Sequence, residues 1–99
     1  MLITAFFNDV NSLPTTGLTP TVKIYDLESS TVVIAAGTMT EVSLTNVPGW
    51  YKYDFTTINL SHAYIAIIDG GSGLTQYYRY QNGILAPLLP ATPEVEFGS

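Results

Sequence analysis

Apolar and polar side chains alternate through the segment 49–55, which reads GWYKYDF. Successive side chains of a β-strand point to opposite faces of a sheet, whereas an α-helix repeats about every 3.6 residues. The alternation therefore predicts a strand whose core-facing row is Tyr51, Tyr53 and Phe55. Trp50 belongs to the opposite row and is predicted to face outward. No segment of the chain is predicted to be helical, because β-branched and aromatic residues crowd every element and Gly and Pro interrupt the rest.

Similar short segments recur along the chain between turn signals. We predict strands at residues 2–7, 21–27, 31–36, 38–44, 49–55, 64–68 and 74–80. Residues 46–49 are predicted to form a turn, because Pro and Gly stand where type I and II turns favour them. The segment 69–73, DGGSG, is predicted to be a hairpin loop, and residues 82–83 are predicted to close the last strand. Short strands at this spacing indicate an all-β fold, a two-sheet sandwich of immunoglobulin-like or transthyretin-like type.

The composition changes after Gly83, so we predict a compact domain at residues 1–83 and an extended arm at residues 84–99. The arm starts with ILAPLLP, and its prolines exclude a central strand. Either it is a linker lying against its own domain or it docks on a neighbouring subunit, since fully burying a Leu or Ile contributes about 1.5–3 kcal/mol. Its candidate contact residues are Ile84, Leu85, Leu88 and Leu89. The final EFGS reads like a cloning remnant and is given little weight.

Charge and composition narrow the range of partners. The net charge is −5, from the three cations Lys23, Lys52 and Arg79 against eight acids. Binding a nucleic-acid duplex needs several cations to displace counterions from phosphates, so neither nucleic acid nor an anionic membrane surface is an expected partner. Charged residues make up 11% of the chain, below the usual value of about 25%, so the surface is built largely from Thr, Ser, Asn and Tyr. Such a surface is often covered by neighbours in an assembly.

Cysteine usage and apolar runs bear on the cellular compartment. The chain has no cysteine, which excludes disulfides and thiolate metal ligands. The longest apolar run, residues 63–68, is too short to span a bilayer, and no signal peptide is visible. Synthesis in the cytoplasm is therefore expected.

Few residues in this chain offer catalytic chemistry. His62 is the only histidine, and a catalytic triad needs a base that is held by a carboxylate next to a nucleophile. The neighbouring Ser61 is expected to point to the opposite face, so we interpret His62 as a polar surface residue. We predict that the chain is not an enzyme. The opposite view would require Asp26, Asp54 or Asp69 to share a cleft with His62.

Metal ligands are equally sparse. Zinc needs more His or Cys than this chain has. Calcium needs clustered oxygens, which Asp9 with its neighbouring asparagines, or Asp69 with its glycine loop, would supply only in part. The loop glycines after Asp69 are interpreted as residues that allow positive φ. We predict no catalytic residue, no metal and no cofactor.

The aromatic residues provide the remaining candidates. Tyr77, Tyr78 and Tyr80 fall on the last predicted strand. Tyrosine combines an apolar ring with a polar tip, which suits sugar stacking as well as protein contact. For the outward-facing Tyr25, Trp50 and Tyr77, contact with a partner and plain exposure both remain open.

Three segments follow one another in an order that resembles the small immunoglobulin-like β-sandwich modules of tailed-bacteriophage structural proteins. They are GLTPTVKIYD at residues 17–26, MTEV at residues 39–42 and GWYKYDF at residues 49–55. The resemblance covers residues 1–83 and implies a virion component, such as a head decoration, neck or tail-associated protein. It implies other virion proteins and copies of the chain itself as partners, and it implies no catalytic residues.

The expected function is accordingly a non-enzymatic structural role in a bacteriophage virion, built from protein made in the host cytoplasm. The alternative is a carbohydrate-binding or adhesion module. In that alternative, Trp50 and the outward tyrosines would serve as stacking platforms for sugar rings.

Overall fold

The computed structural model describes residues 1–74 and 76–85 of the chain. It contains seven strands and one helical turn: β1 Leu2–Phe6, β2 Thr21–Asp26, β3 Thr31–Thr38, β4 Thr40–Ser43, β5 Val47–Asp54, β6 Tyr64–Asp69, α1 Gln76–Arg79 and β7 Tyr80–Leu85. The strands form two antiparallel sheets with the orders β1-β5-β4 and β3-β2-β6-β7. The predicted all-β, two-sheet sandwich of about seven strands is confirmed. Within the described ranges, no helix has the length and hydropathy that crossing a membrane requires.

The core lies between the two sheets and consists of the inward-facing rows of both. Tyr51 is fully buried and Phe55 is 1% exposed, whereas Trp50 is 41% exposed. The core-facing row predicted from the alternation in GWYKYDF is therefore confirmed. The strands β2 and β6 occupy the centre of the four-stranded sheet, and they contribute Val22, Ile24, Tyr64, Ala66 and Ile68 to the core.

The turn before GWYKYDF was predicted at the wrong residues. Residues 44–46 form the turn, and Pro48 and Gly49 already belong to β5. Pro48 is tolerated there because β5 pairs with β1 only from Trp50 onward, so its missing N–H leaves no gap in that ladder. Gly49 has a φ of +86°, and its carbonyl accepts a hydrogen bond of 3.0 Å from the backbone N–H of Phe7. The Pro-Gly pair thus bends the start of a strand.

The end of the described chain also differs from the prediction. Residues 76–79 form the helical turn α1, and the last strand is β7 rather than residues 74–80. The guanidinium of Arg79 donates to both carboxylate oxygens of Asp69 at 2.7 and 3.0 Å, and the Arg79 carbonyl accepts from Gly70 N–H at 2.7 Å. These bonds close the connection from β6 to β7 with a helical turn, so tertiary contacts override the strand tendency of the tyrosines.

This shift moves several residues relative to their predicted places. Asn82 and Gly83 lie inside β7 instead of closing a strand, and the predicted domain boundary at residue 83 falls within that strand. Ile84 and Leu85, assigned to the arm from the sequence, are the last residues of β7 and pair with β6. The rest of the predicted arm, residues 86–99, lies outside the described residues.

Candidate interaction surface

Four apolar side chains form a row across the outer face of the four-stranded sheet, one from each strand. Val32 of β3 lies opposite Tyr25, Tyr25 lies opposite Ile65, and Ile65 lies opposite Ile84 of β7. Because residues paired across a sheet share one face, and the core-facing residues of β2 are those on either side of Tyr25, the whole row points away from the core. Val32 is 51% and Ile84 72% exposed. We call Tyr25, Val32, Ile65 and Ile84 the apolar row.

The surroundings of the apolar row suit a protein partner. On the same face, Lys23 lies opposite Ile67, which lies opposite Asn82, so a cation, another exposed isoleucine and an amide flank the row. A contiguous exposed apolar patch rimmed by polar groups marks an interaction site more reliably than scattered apolar residues do. Tyrosine is also among the residues that dominate binding energy near the centre of interfaces.

The edge strand β3 continues this surface. It is eight residues long, reads TVVIAAGT, and carries neither a charge nor a proline. Its outer edge pairs with no other strand among the described residues. Such an edge presents unpaired N–H and C=O groups to which another chain can add. The apolar row ends on this strand, at Val32, so a partner that covers the row also reaches the edge.

Trp50 lies on the other sheet and is not part of the apolar row. It is paired with Phe6 of β1, and the two ring centroids are 5.3 Å apart at an interplanar angle of 44°. The contact with Phe6 leaves Trp50 41% exposed. The structure therefore separates two candidates from the sequence, Tyr25 and Trp50, onto opposite faces of the sandwich. The carbohydrate platform proposed around Trp50 stays a prediction.

The other candidate contact residues fall in different places. Ile84 belongs to the apolar row, whereas Leu85 is half-buried and packs against the core. The side chain of Tyr77 and the residues Leu88 and Leu89 lie outside the part of the chain whose side chains are described. Sequence reasoning did not single out Val32, Ile65 and Ile67. Their signal was present in the β-branched composition of β3 and β6, but the register that aligns them cannot be read from composition.

Asp26 and His62 form an ion-pair contact that the sequence did not lead us to expect. The imidazole Nδ1 lies 2.8 Å from Asp26 Oδ2, and the Asp26 carboxylate also accepts the backbone N–H groups of Glu28 at 2.8 Å and Ser29 at 3.3 Å. Asp26 is only 5% exposed. His62 is a partly exposed polar residue of the loop before β6, with 29% of its side chain accessible, and the Asp26 carboxylate holds its ring.

The geometry around His62 resembles an oriented base, but no hydroxyl of the described residues hydrogen-bonds its ring. The second ring nitrogen, Nε2, lies 3.3 Å from the amide nitrogen of Asn59. The hydroxyl of Ser61 donates to the side-chain oxygen Oδ1 of Asn59 at 2.8 Å rather than to the histidine. A triad needs the base in hydrogen-bond contact with the attacking hydroxyl. The described contacts therefore give Asp26 and His62 a structural task, which is to join β2 to the loop before β6.

Asp26 leads to a prediction for the response to acid. Burial raises the pKa of Asp26, but hydrogen bonds from His62, Glu28 N–H and Ser29 N–H together hold the pKa below the ordinary value of 3.8. A carboxyl with a lowered folded-state pKa stabilises the fold above its unfolded-state pKa, and this stabilisation is lost as the pH falls through the folded-state pKa. We expect the free energy of unfolding to decrease below about pH 4.

The measurement is urea unfolding over a series of acidic pH values, comparing Asp26→Asn with the unchanged protein. The variant is expected to be less stable at neutral pH and to lose less stability on acidification, because its amide does not titrate. Glu28→Gln removes an exposed carboxyl next to the same turn and serves as the matched control. Identical pH profiles for Asp26→Asn and Glu28→Gln would contradict the assignment.

The two calcium candidates use their carboxylates within the fold. Asp9 Oδ1 accepts the backbone N–H groups of Asn11 at 2.8 Å and Leu13 at 3.1 Å, which shapes the loop after β1. Asp69 accepts from Arg79 and from Gly71 N–H, and the Arg79 hydrogen bond is the main cause that lowers the pKa of Asp69. Among the described residues, no group of three or more His, Cys, Asp or Glu side chains is placed to hold a metal ion.

Comparison with known proteins assigns no family to this chain. No family model, no curated protein and no solved structure matches it. The candidate site consequently rests on the geometry of the described residues. Its main feature is the apolar row, which Tyr25 and Ile84 form together with Val32 and Ile65.

Proposed function

We propose that this chain is a non-enzymatic structural protein of a bacteriophage virion, a head decoration, neck or tail-associated component that acts through protein–protein contacts. The observation that carries the proposal is the apolar row on the outer face of the four-stranded sheet. The resemblance of residues 1–83 to phage sandwich modules supports the choice of particle. The three segments that carry this resemblance, at residues 17–26, 39–42 and 49–55, overlap β2, β4 and β5.

The energetics of the apolar row favour a repeated contact over a tight single one. Fully burying a side chain such as Ile or Val contributes about 1.5–3 kcal/mol. The row offers only four such residues, of which Tyr25 and Ile65 are already half-buried. Association itself costs about 4–15 kcal/mol in lost freedom. A single copy would thus bind weakly. Many copies in one particle sum such contacts, since each further contact is made at a high effective concentration.

Charged substitutions in the apolar row test the proposal. We expect Ile84→Glu and Val32→Glu to lower the copy number per particle at least tenfold. A factor of ten corresponds to about 1.4 kcal/mol, and a charge that is buried without a partner costs far more than that. Both positions are exposed, so the isolated domain should still fold. The measurement is quantitative mass spectrometry of purified particles assembled with each variant.

Val42→Glu is the matched control, because Val42 is an exposed valine on β4, in the other sheet. Circular dichroism of all three variants confirms that each one folds. Unchanged incorporation of Ile84→Glu and Val32→Glu would refute the role of the apolar row. Equal loss with Val42→Glu would show that any added surface charge blocks assembly, which also counts against it.

A further inference from the structure

A cleft of about 300 Å³ opens between the two sheets on the side where β1 and β7 face each other. Its walls include the apolar side chains Ile3, Ala66, Ile68 and Leu85. At one end, the side-chain amide of Gln81 donates to the carbonyl of Phe6 and bridges the two strands. We call this space the β1/β7 cleft. Three of its apolar wall residues, Ile3, Ala66 and Ile68, are core residues with at most 6% of their surface exposed, so the cleft lies directly over the core.

The β1/β7 cleft exists because small residues meet there. Gly83 of β7 lies opposite Ala66 of β6, and Ala66 faces the core. Gly83 therefore shares the inward face, and a Cβ built on it meets no atom within 4 Å. Elsewhere the inward rows carry large rings such as those of Tyr51 and Tyr64. Apolar surface is stabilised by removal from water, so an apolar occupant of the cleft is favoured.

The flanking backbone is also open to an added segment. Among the described strands, β1 pairs only with β5 and β7 pairs only with β6, so both have a free edge at the cleft. An extended segment that lies between two strand edges can combine side-chain burial with backbone hydrogen bonds. A volume of about 300 Å³ is twice the cavity of roughly 150 Å³ that accepts a benzene-sized group, so an aliphatic side chain fits.

We propose that the β1/β7 cleft receives the segment 86–90, APLLP, from a second copy of this chain. The segment is uncharged and apolar, and it follows directly on Leu85, which lines the cleft. The proposal deepens the proposed function, on which it rests, by naming one partner as another copy and one contact as an exchanged C-terminal segment.

The direction of β7 favours a second copy over the same chain. Leu85 pairs with Tyr64, whose ring packs on Phe55, and the Phe55 carbonyl accepts from the amino group of Met1. The chain thus leaves β7 at the Met1 end of β1, and its own segment would have to reverse at once to enter the cleft. Two-residue hairpin turns favour Gly or Asn, and the sequence has neither between residue 86 and Gly98.

The sequence of the segment 86–90 also favours a second copy, and it indicates which residues to test. Ala86 stands before Pro87, a position that disfavours helical backbone and so works against an immediate reversal. In an extended segment, Leu88 and Leu89 point to opposite sides. One of the two leucines enters the neighbour's cleft and the other faces away. The prolines donate no backbone hydrogen bond, so side-chain burial carries most of the contact.

Cysteine cross-linking tests the proposal cleanly, because the chain has no cysteine of its own. Copies with Gly83→Cys are mixed with copies with Leu88→Cys or Leu89→Cys and oxidised. We expect a disulfide-linked dimer for one leucine position in at least fivefold excess over the other. Thr45→Cys, in the exposed turn before β5, replaces Gly83→Cys as the control for random collisions.

The same pair of cysteines placed in one chain separates the possible occupants. A link that forms within one chain at high dilution would show that the segment fills its own cleft and would overturn the proposal. No link above the Thr45→Cys control at either leucine would overturn it as well.

Filling the cleft gives a second measurement that does not depend on cross-linking. Gly83→Val and truncation after Leu85 are both expected to shift the light-scattering mass of the chain from an oligomer to the monomer. Asn82→Val adds the same side chain on the opposite face of β7 and should leave the mass unchanged. Circular dichroism verifies folding, and truncation leaves every strand intact if Gly83→Val does not fold. An unchanged mass after truncation refutes the exchanged segment.

These experiments use the isolated chain in solution, so their outcome is separable from that of particle assembly. If cross-linking fails while Ile84→Glu still abolishes incorporation, the proposed function stands and the exchanged segment is wrong. If cross-linking succeeds while the apolar-row variants incorporate normally, the reverse holds.

Discussion

Replacing Tyr51 with alanine is expected to lower the free energy of unfolding by about 3–5 kcal/mol, as for other large aromatic residues removed from a core. Tyr51 is fully buried, and its ring packs edge-on against Phe7 with centroids 5.8 Å apart. A domain of ordinary stability has only about 5–15 kcal/mol in total. The variant should therefore be at the margin of folding. The measurement is urea unfolding followed by the fluorescence of the single tryptophan, Trp50.

The hydroxyl of Tyr51 contributes separately from its ring. It accepts the backbone N–H of Leu18 at 3.0 Å and donates to the carbonyl of Thr15 at 2.9 Å, which ties the long loop after β1 to the core. Burial raises the pKa of Tyr51, so the hydroxyl remains a donor at neutral pH. Tyr51→Phe keeps the ring and leaves both backbone groups without this partner, and we expect a loss of about 1–3 kcal/mol.

Tyr53→Phe is the matched control for the hydroxyl. Tyr53 is two residues along the same face of β5 and is partly buried, but its hydroxyl makes no hydrogen bond to the described residues. We expect this variant to stay within about 0.5 kcal/mol of the unchanged protein. Equal effects of Tyr51→Phe and Tyr53→Phe would show that the loop contact contributes nothing to stability.

The strands of this fold were largely predictable, because a period of two residues reports directly which side chains face a core. The segments around β1, β2, β5 and β6 were placed within about two residues of their bounds. The connections between the strands were not predictable in this way. The helical turn before β7 depends on Asp69 and Arg79, which lie ten residues apart in the sequence and meet only in the folded chain.

Periodicity also leaves open which of two rows is buried when neither is plainly apolar. In β4, Val42 is 40% exposed, while Glu41 points inward and accepts a hydrogen bond from Gly17 N–H at 3.3 Å. Hydrophobicity alone would assign the opposite orientation. The loop around Gly17 supplies a polar partner for one of the two carboxylate oxygens.

For the candidate surface, too, the sequence indicated individual residues but not their arrangement. Tyr25 and Ile84 were selected from the sequence for separate reasons, one as an outward tyrosine and the other as part of an arm. They belong to one row only because β2, β6 and β7 pair in a register that aligns them through Ile65. Register depends on turn geometry and on the fit of the buried face, and neither can be read from a single segment. The contact of Asp26 with His62, 36 residues away, was hidden for the same reason.

Replacing Gly49 with alanine is expected to lower the free energy of unfolding by roughly 2–6 kcal/mol, the sum of backbone strain and overpacking. The φ of +86° is costly for any residue with a Cβ. The added Cβ would also lie 2.9 Å from Phe6 Cε1 and from Pro14 Cβ, and 3.0 Å from the Phe7 carbonyl oxygen. Because Phe6 packs on Trp50, tryptophan fluorescence of the folded variant should change as well.

Two other glycines separate the causes of this effect. Gly71 also has a positive φ, +103°, but nothing lies within 4 Å of its Cβ position, so Gly71→Ala should cost only the strain, about 1–3 kcal/mol. Gly73 has open space and no positive φ, so Gly73→Ala should be neutral or stabilising by up to about 1 kcal/mol. If Gly49→Ala destabilises no more than Gly71→Ala, the close packing of the Pro-Gly bend against Phe6 and Pro14 is not what constrains the start of β5, and the strand would then owe its entry angle to backbone conformation alone.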